Sequence, residues 1–413
     1  MYAFLVTWPL FIESWANKLS VDPAAGVPGV DITRLFCMVI LPLTVLYQVT
    51  RGKRLRTDII IVTTALYSIY FLLEIFLNDI GTSLSTGFAG LFQVCIIPCI
   101  IYFALINLKD VLDRKYLIYA VLIAGIYISG SGVVEFIVGH NVFGPANDLS
   151  VDRMAGIYRT NGPFWDAISY AGIVLCLVPF TYWVLKEKYV NKSFAQFCLI
   201  LFSLGALAEF SRIVGVAFVL VMGLLYLGKD RKNILLILFA VMTCAVLAYL
   251  LSDVIFASRL YKNRLAVGSE GRFEQYLGAL RTFWHSPLFG NGYGMYGKTH
   301  RLPMHNSFLK VLVDFGLLGV LSYIPVVWSL LFHGFRESVK VPSLHRAKMC
   351  LIITVLLVSS TIDFLSNGPF IMALYIFTAI MNMDLKVLTD RARLNPLSNG
   401  APMPANILAS TPR

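Results

Sequence analysis

Twelve runs of apolar residues, each close to the length that a helix needs to cross a bilayer, dominate this sequence. A spanning α-helix takes about 20 mostly apolar residues, and polar punctuation marks where it leaves the lipid. The runs lie near Tyr2–Trp15, Ile32–Val49, Asp58–Leu77, Thr86–Ile106, Tyr116–Val138, Trp165–Leu185, Phe194–Phe210, Ile213–Leu227, Asn233–Phe256, Ser307–Leu331, Met349–Leu365 and Pro369–Met383. The expected fold class is therefore an all-α integral membrane protein of about twelve transmembrane helices. The first run alternatively lies in the interface, which leaves eleven. It lacks a basic leader and a small-residue cleavage site, so it reads as a retained segment and not as a signal peptide.

Composition agrees. The chain is 58% hydrophobic and 14% charged, with a mean hydropathy of +0.74. Soluble domains carry roughly a quarter charged residues. The seven cysteines all fall inside apolar runs. They form neither a disulfide framework nor a zinc site, and Cys95 and Cys99 read as packing residues. A net charge of +11 in a soluble chain points to nucleic acid. Here the positive-inside rule accounts for much of it.

With both termini cytoplasmic, every inside loop is basic. Those loops hold Arg51, Lys53, Arg54 and Arg56; Lys109, Arg114 and Lys115; Lys186, Lys188 and Lys192; Lys229, Arg231 and Lys232; and Arg336, Lys340, Arg346 and Lys348, with four more cations in the tail. Eight other cations crowd one outer segment: Arg259, Lys262, Arg264, Arg272, Arg281, Lys298, Arg301 and Lys310. Only Glu270 and Glu274 oppose them. Long loops tolerate charge, but an outer loop this basic also fits an anionic ligand. The acids are one-sided as well. Glu74, Glu135, Asp166, Glu209, Asp253, Asp314 and Asp363 all fall at the outer ends of their runs. Ionisable groups in membrane segments are costly and tend to be functional. Their clustering at one leaflet points to a site at the outer boundary.

The domain layout follows: residues 1–384 form a polytopic membrane domain, residues 257–306 its outer catalytic loop between the ninth and tenth helices, and residues 385–413 a disordered cytoplasmic tail without periodicity. Within the loop, Phe273, Leu277, Leu280 and Trp284 recur at helical spacing, which predicts an amphipathic helix on the membrane surface. Gly290, Gly292 and Gly294 read as a flexible, turn-rich stretch. Asn306 or Ser307 can cap the next span, which places His305 at its outer mouth. Gly316 and Gly319 permit close helix contact. His300 and His305 are five apart, a poor spacing for a metal pair, and no third ligand cluster accompanies them.

The string Gly271-Arg272-x(11)-Trp284-His-Ser-Pro-Leu-Phe-Gly-Asn-Gly292, followed by His305-Asn306-Ser-Phe-Leu and Asp314-Phe-Gly316-Leu-Leu-Gly319, resembles the signature of the O-antigen ligase and polysaccharide polymerase superfamily. A weaker likeness covers Arg159-Thr-Asn-Gly162-Pro-Phe164 and Ser211-Arg212. Where that family tends to continue with Asn-Pro-Asn, this chain has Trp165-Asp166-Ala167. The resemblance implies an inverting, metal-independent and cofactor-free glycosyltransferase in the bacterial inner membrane, with its site facing the periplasm. The donor it implies is an undecaprenyl-diphosphate-linked glycan.

Three residues match the family's functional positions. His305 matches a general base on the acceptor hydroxyl; Arg272 and Arg212 match arginines that hold the donor diphosphate. Arg159 is carried over as a weaker diphosphate contact. Asn306, Arg264, Arg301 and Tyr276 are candidate supporting residues. A guanidinium is always charged and fits phosphate oxygens bidentately. The acceptor is either another carrier-linked glycan, making the protein a polysaccharide polymerase for O-antigen or exopolysaccharide, or lipid A-core, making it an O-antigen ligase. The first is favoured. A flippase for the same lipid-linked sugars is the rival of another class; it predicts mid-membrane charges and internal repeats, and the sequence has neither.

Overall fold

A computed structural model of the chain describes residues 32–78, 84–140, 142, 151–152, 157–158, 160–164, 167–209, 212–226, 268–296, 304, 306–361, 368–383 and 385. The described residues are almost entirely helical. In chain order the helices are α1 (Ile32–Thr50), α2 (Ile59–Leu77), α3 (Leu84–Leu91), a π turn (Phe92–Ile96), α4 (Ile97–Asn107), α5 (Arg114–Val138), α6 (Ala167–Lys186), α7 (Lys192–Ala208), α8 (Arg212–Tyr226), α9 (Gly268–His285), α10 (Ser307–Phe332), α11 (Phe335–Ser338), α12 (Pro342–Thr361) and α13 (Gly368–Asn382). Ten of the twelve expected spans fall on these helices. Among the described residues, six stretches are long and apolar enough to cross a membrane, and four more apolar helices are shorter. The expected spans at Tyr2–Trp15 and Asn233–Phe256, and the expected tail beyond Leu385, lie outside the described residues. A two-residue antiparallel ladder between β1 (Val151–Asp152) and β2 (Ile157–Tyr158), which the periodicity gave no sign of, precedes α6.

Hydrophobicity all round a helix marks burial, and α6 illustrates it. Its sequence is apolar on every face, and it sits at the centre, packed against α5, α7, α8, α12 and α13. Trp183, Tyr170 and Phe180 on it are fully buried. Helix contacts inside lipid gain little from the hydrophobic effect, so close packing and interhelical hydrogen bonds carry them. Thr64 and Tyr375 join α2 to α13 through hydroxyls 2.6 Å apart, and Thr63 meets Ser329 of α10 at 2.9 Å. The run expected as one helix near Thr86–Ile106 contains the π turn directly ahead of Pro98. Proline has no N–H to give the ladder, and a local widening absorbs the missing bond.

The two ends of the bundle differ. At the lower end, Asp58 caps α2 by accepting the Ile60 and Ile61 N–H groups at 3.1 and 3.2 Å. Its other oxygen accepts the Tyr102 hydroxyl at 2.5 Å and lies 3.7 Å from His333 Nε2. Lys348 donates to the His333 carbonyl at 2.7 Å and to Asn382 Oδ1 at 2.5 Å, so the ends of α10 and α13 meet the start of α12 there. Between the first two loops of this end, the Lys53 ammonium bonds Asp110 at 2.6 Å and holds its carboxyl below the usual range. At the upper end lie the four described acids that the sequence had placed on one side. Glu74, Glu135, Glu209 and Asp314 are all buried.

Removing the Asp58 side chain takes away a cap serving two backbone donors and the partner of Tyr102. Asp58→Ala is expected to lower stability by about 1–2 kcal/mol. The readout is the midpoint of thermal unfolding in detergent, and Asp58→Asn, which keeps an accepting oxygen, should recover most of the loss.

Candidate active site

The site is framed by a break in α10. In an unbroken helix the Leu317 and Leu318 N–H groups would bond the Val313 and Asp314 carbonyls. Gly316, at φ 68° and ψ −167°, turns the chain out of that path. The segment after α9 replaces both lost bonds from each side. Leu317 and Leu318 donate to the Pro287 and Leu288 carbonyls at 2.9 and 3.1 Å. Asn291 and Gly292 donate to the Val313 and Asp314 carbonyls, each at 3.0 Å. The Tyr70 hydroxyl donates to the Phe315 carbonyl at 2.6 Å, and the Gly294 N–H to Asp314 Oδ2 at 3.1 Å. The Pro-Leu-Phe-Gly-Asn-Gly and Asp-Phe-Gly motifs are thus two halves of one joint. The glycine run expected to be flexible is instead pinned. Its backbone approaches α10 so closely that a Cβ on Gly290 would fall on the Asp314 carbonyl, and one on Gly316 would fall on the Leu288 carbonyl.

The joint sets α9 against the start of α10. Gln275, Ala279 and Phe283 form the buried face of α9. Ala279 and Phe283 cluster with Tyr296, Met304 and Val313. The Tyr296 hydroxyl donates to the Gln275 carbonyl at 3.0 Å, and burial pushes that phenol up, so it stays a donor. The apolar face expected to meet the membrane is a different one. Leu277, Leu280 and Trp284 are 38, 42 and 73% exposed, as a surface turned to an interface requires. Sequence spacing found that face and missed the one that packs, because a face of glutamine, alanine and one aromatic carries little hydropathic signal. Tyr276 is half-buried between the two.

Asn306 behaves as expected of a cap. Its Oδ1 accepts the Leu309 N–H at 2.9 Å, and its Nδ2 donates to the Ser360 carbonyl at 2.8 Å, fastening α10 to the upper end of α12. His305, Arg159, Arg264 and Arg301 lie outside the described residues. For Arg212 and Arg272 only the backbone is described: Arg212 is the first residue of α8, and Arg272 stands in the second turn of α9.

A second buried group builds the same end of the bundle. The Glu135 carboxylate, at the last turn of α5, accepts the Gly162 N–H at 2.9 Å. Tyr170 of α6 donates to the Gly205 carbonyl of α7 at 3.1 Å, and its ring lies where side chains on Gly132, Gly162 and Gly205 would otherwise be. Gly162 has φ +56°. One tyrosine therefore locks α5, α7 and the segment 160–164 together, within electrostatic reach of both Glu135 and Glu209. The acids are legible in the sequence but the tyrosine is not; its signal, three glycines from separate elements, exists only in space. Glu209 ends α7, and α8 begins three residues later. Both α8 and α10 pack against α12, so the helices that begin at Arg212 and just after His305 flank one common helix.

Residues 197–324 match the family described as O-antigen ligase. The match runs from within α7 to within α10 and covers every candidate residue except Arg159. No curated protein matches the chain significantly.

Alanine at Gly316 or Gly290 must adopt a positive φ and push against a carbonyl. Each is expected to cost about 1–3 kcal/mol and to lower the thermal midpoint. Gly130→Ala and Gly215→Ala, where a Cβ meets open space, should leave the midpoint nearly unchanged.

Proposed function

We propose that this chain, whose residues 197–324 match the family described as O-antigen ligase, is an inverting, metal-independent glycosyltransferase. It moves a glycan from an undecaprenyl-diphosphate carrier to a sugar hydroxyl at the outer face of the inner membrane. The observation that carries the reading is how the backbone on each side of His305 is held. Met304 is buried in the cluster under α9, and Asn306 is the cap of α10. In the sequence His305 falls between these two held residues, directly before the cap of α10. Arg272 stands seven residues before Ala279, two turns up the row of α9 that packs on Met304.

The chemistry assigned to these residues balances. The acceptor hydroxyl oxygen attacks the anomeric carbon, and His305 takes its proton. The bond from that carbon to the diphosphate oxygen breaks, and undecaprenyl diphosphate leaves with the electron pair. Attack opposite the leaving group inverts the anomeric centre. Arg272, Arg212 and, more weakly, Arg159 hold the diphosphate as its charge grows. The positive end of α8, where Arg212 begins the helix, favours the same anion. Glu135 and Tyr170 fasten the segment 160–164 that follows Arg159. In this reading residues 1–384 are the membrane domain, the loop 257–306 faces the periplasm and both termini are cytoplasmic.

The favoured acceptor is a second carrier-linked glycan, which makes the protein a polymerase. The alternative acceptor is lipid A-core, which makes the protein a ligase, the word that the matched family's description uses. The test is purified protein with a defined undecaprenyl-diphosphate oligosaccharide and each acceptor in turn. His305→Ala should lower the rate by about 10²–10⁴ and Arg272→Ala by about 10²–10³. Arg272→Lys should recover only part, since an ammonium lacks the bidentate fork. Transfer that survives both alanine variants at full rate refutes the mechanism. Transfer to only one acceptor decides between polymerase and ligase.

A further inference from the structure

At the lower end of the bundle, opposite the candidate active site, α6, α7 and α8 enclose an open cleft of about 870 Å³. Lys186, Lys188 and Lys192 line its rim, with Tyr182 and Tyr226 on its wall. The three cations stand within a seven-residue stretch, and among the described residues no carboxylate pairs with them. The nearby acid, Glu187, is engaged elsewhere: its carboxylate accepts the Ser343 hydroxyl of α12. Lys186 holds its ammonium 5.6 Å from the Tyr182 ring centre.

The backbone at this rim carries a second, independent sign. Lys188 is the only non-glycine residue with positive φ among the described residues, at 56°. The hydrogen bonds around it explain where it stands. Tyr189 N–H bonds the Val184 carbonyl at 3.2 Å, and Lys188 N–H bonds the Leu185 carbonyl at 3.3 Å. That is the Schellman ending of a helix, and its left-handed position is normally glycine. For closing α6 alone, glycine would serve better than lysine. A side chain held in an unfavourable conformation marks a position kept for something other than the fold.

Below the rim the cleft becomes apolar. Leu199 and Ile200 of α7 line it. Ile200 also belongs to a stripe, Phe197, Ile200, Leu204 and Leu207, whose members are each at least half exposed along α7. A ligand seated there meets ammonium groups that no carboxylate among the described residues pairs, at one end, and an exposed apolar stripe at the other. We propose that this cleft binds the headgroup of an anionic phospholipid, its phosphate among Lys186, Lys188 and Lys192 and its acyl chains along the α7 stripe. A free phosphate shares the head chemistry but leaves the stripe uncovered. This inference does not depend on the proposed transferase activity.

The test is native mass spectrometry of the purified full chain titrated with phosphatidylglycerol, phosphatidylcholine or inorganic phosphate. Phosphatidylglycerol should bind preferentially, and each lysine removed should weaken it roughly fivefold. The decisive variant is Lys188→Gly. It removes one charge and supplies the residue that the helix ending prefers, so its thermal midpoint in lipid-free detergent should hold or rise while phosphatidylglycerol affinity falls. Lys186→Gln/Lys192→Gln should weaken binding further, and Lys109→Gln, in another basic loop, should not. Equal binding by wild type and Lys188→Gly, equal binding of phosphatidylcholine, or phosphate binding as tight as the lipid would each overturn the proposal.

Discussion

The upper end of this protein depends on an exchange of backbone hydrogen bonds between the 287–292 segment and the break in α10. A helix interrupted among apolar neighbours leaves N–H and C=O groups without partners, and nothing in hydrocarbon can replace them. Here two helical bonds are given up and four interchain-like bonds are made, so both the broken helix and the docked segment are satisfied at once. Glycine at positions 290 and 316 is what lets the two backbones approach. Everything attached to the joint inherits its position: α9 through Asn291, whose side chain bonds the Thr282 carbonyl at 2.9 Å, and the start of α10 through Val313 and the Met304 cluster.

For the proposed function, that joint is what would let a basic segment carry chemistry that demands placement. Diphosphate stabilisation and proton removal both lose effect when the groups are displaced by about an ångström. A loop of this length, left free, would not hold an arginine and a histidine in register. Packing one face of α9 on protein and leaving Leu277, Leu280 and Trp284 exposed suits a helix that rests between the bundle and a lipid surface. The buried Glu135 and Tyr170 group does the corresponding work for the segment 160–164. The two ends of the molecule are thus built on different terms, with buried carboxylates and glycine joints above, and caps, lysines and the Asp58–Tyr102 pair below.

Several of these elements were legible before any coordinates. The period and length of apolar runs located ten helices to within a few residues at most ends, because burial in lipid imposes a strong and continuous signal. The largest offset is α12, which starts at Pro342 although its apolar run begins near Met349, since the polar first turns carry His345, Arg346 and Lys348. The Asn306 cap was legible because capping is local. Nothing local in the sequence shows that the glycine run is pinned, since the partners of its segment lie some 20 to 30 residues away on another helix.

What the sequence determined by itself is the helical class of the protein, and it named the residues of the candidate site. Helical spans follow from local hydrophobicity, and the basic segment with its histidine and arginines follows from a contiguous motif. What only the tertiary structure decided is how those pieces are held: that Gly316 breaks a helix, that the 287–292 segment heals it, that Tyr170 fills a slot left by three glycines, and that Lys188 takes a place made for glycine. Each of these depends on backbone groups or empty space meeting across distant segments. Side-chain pattern along one segment carries no record of them.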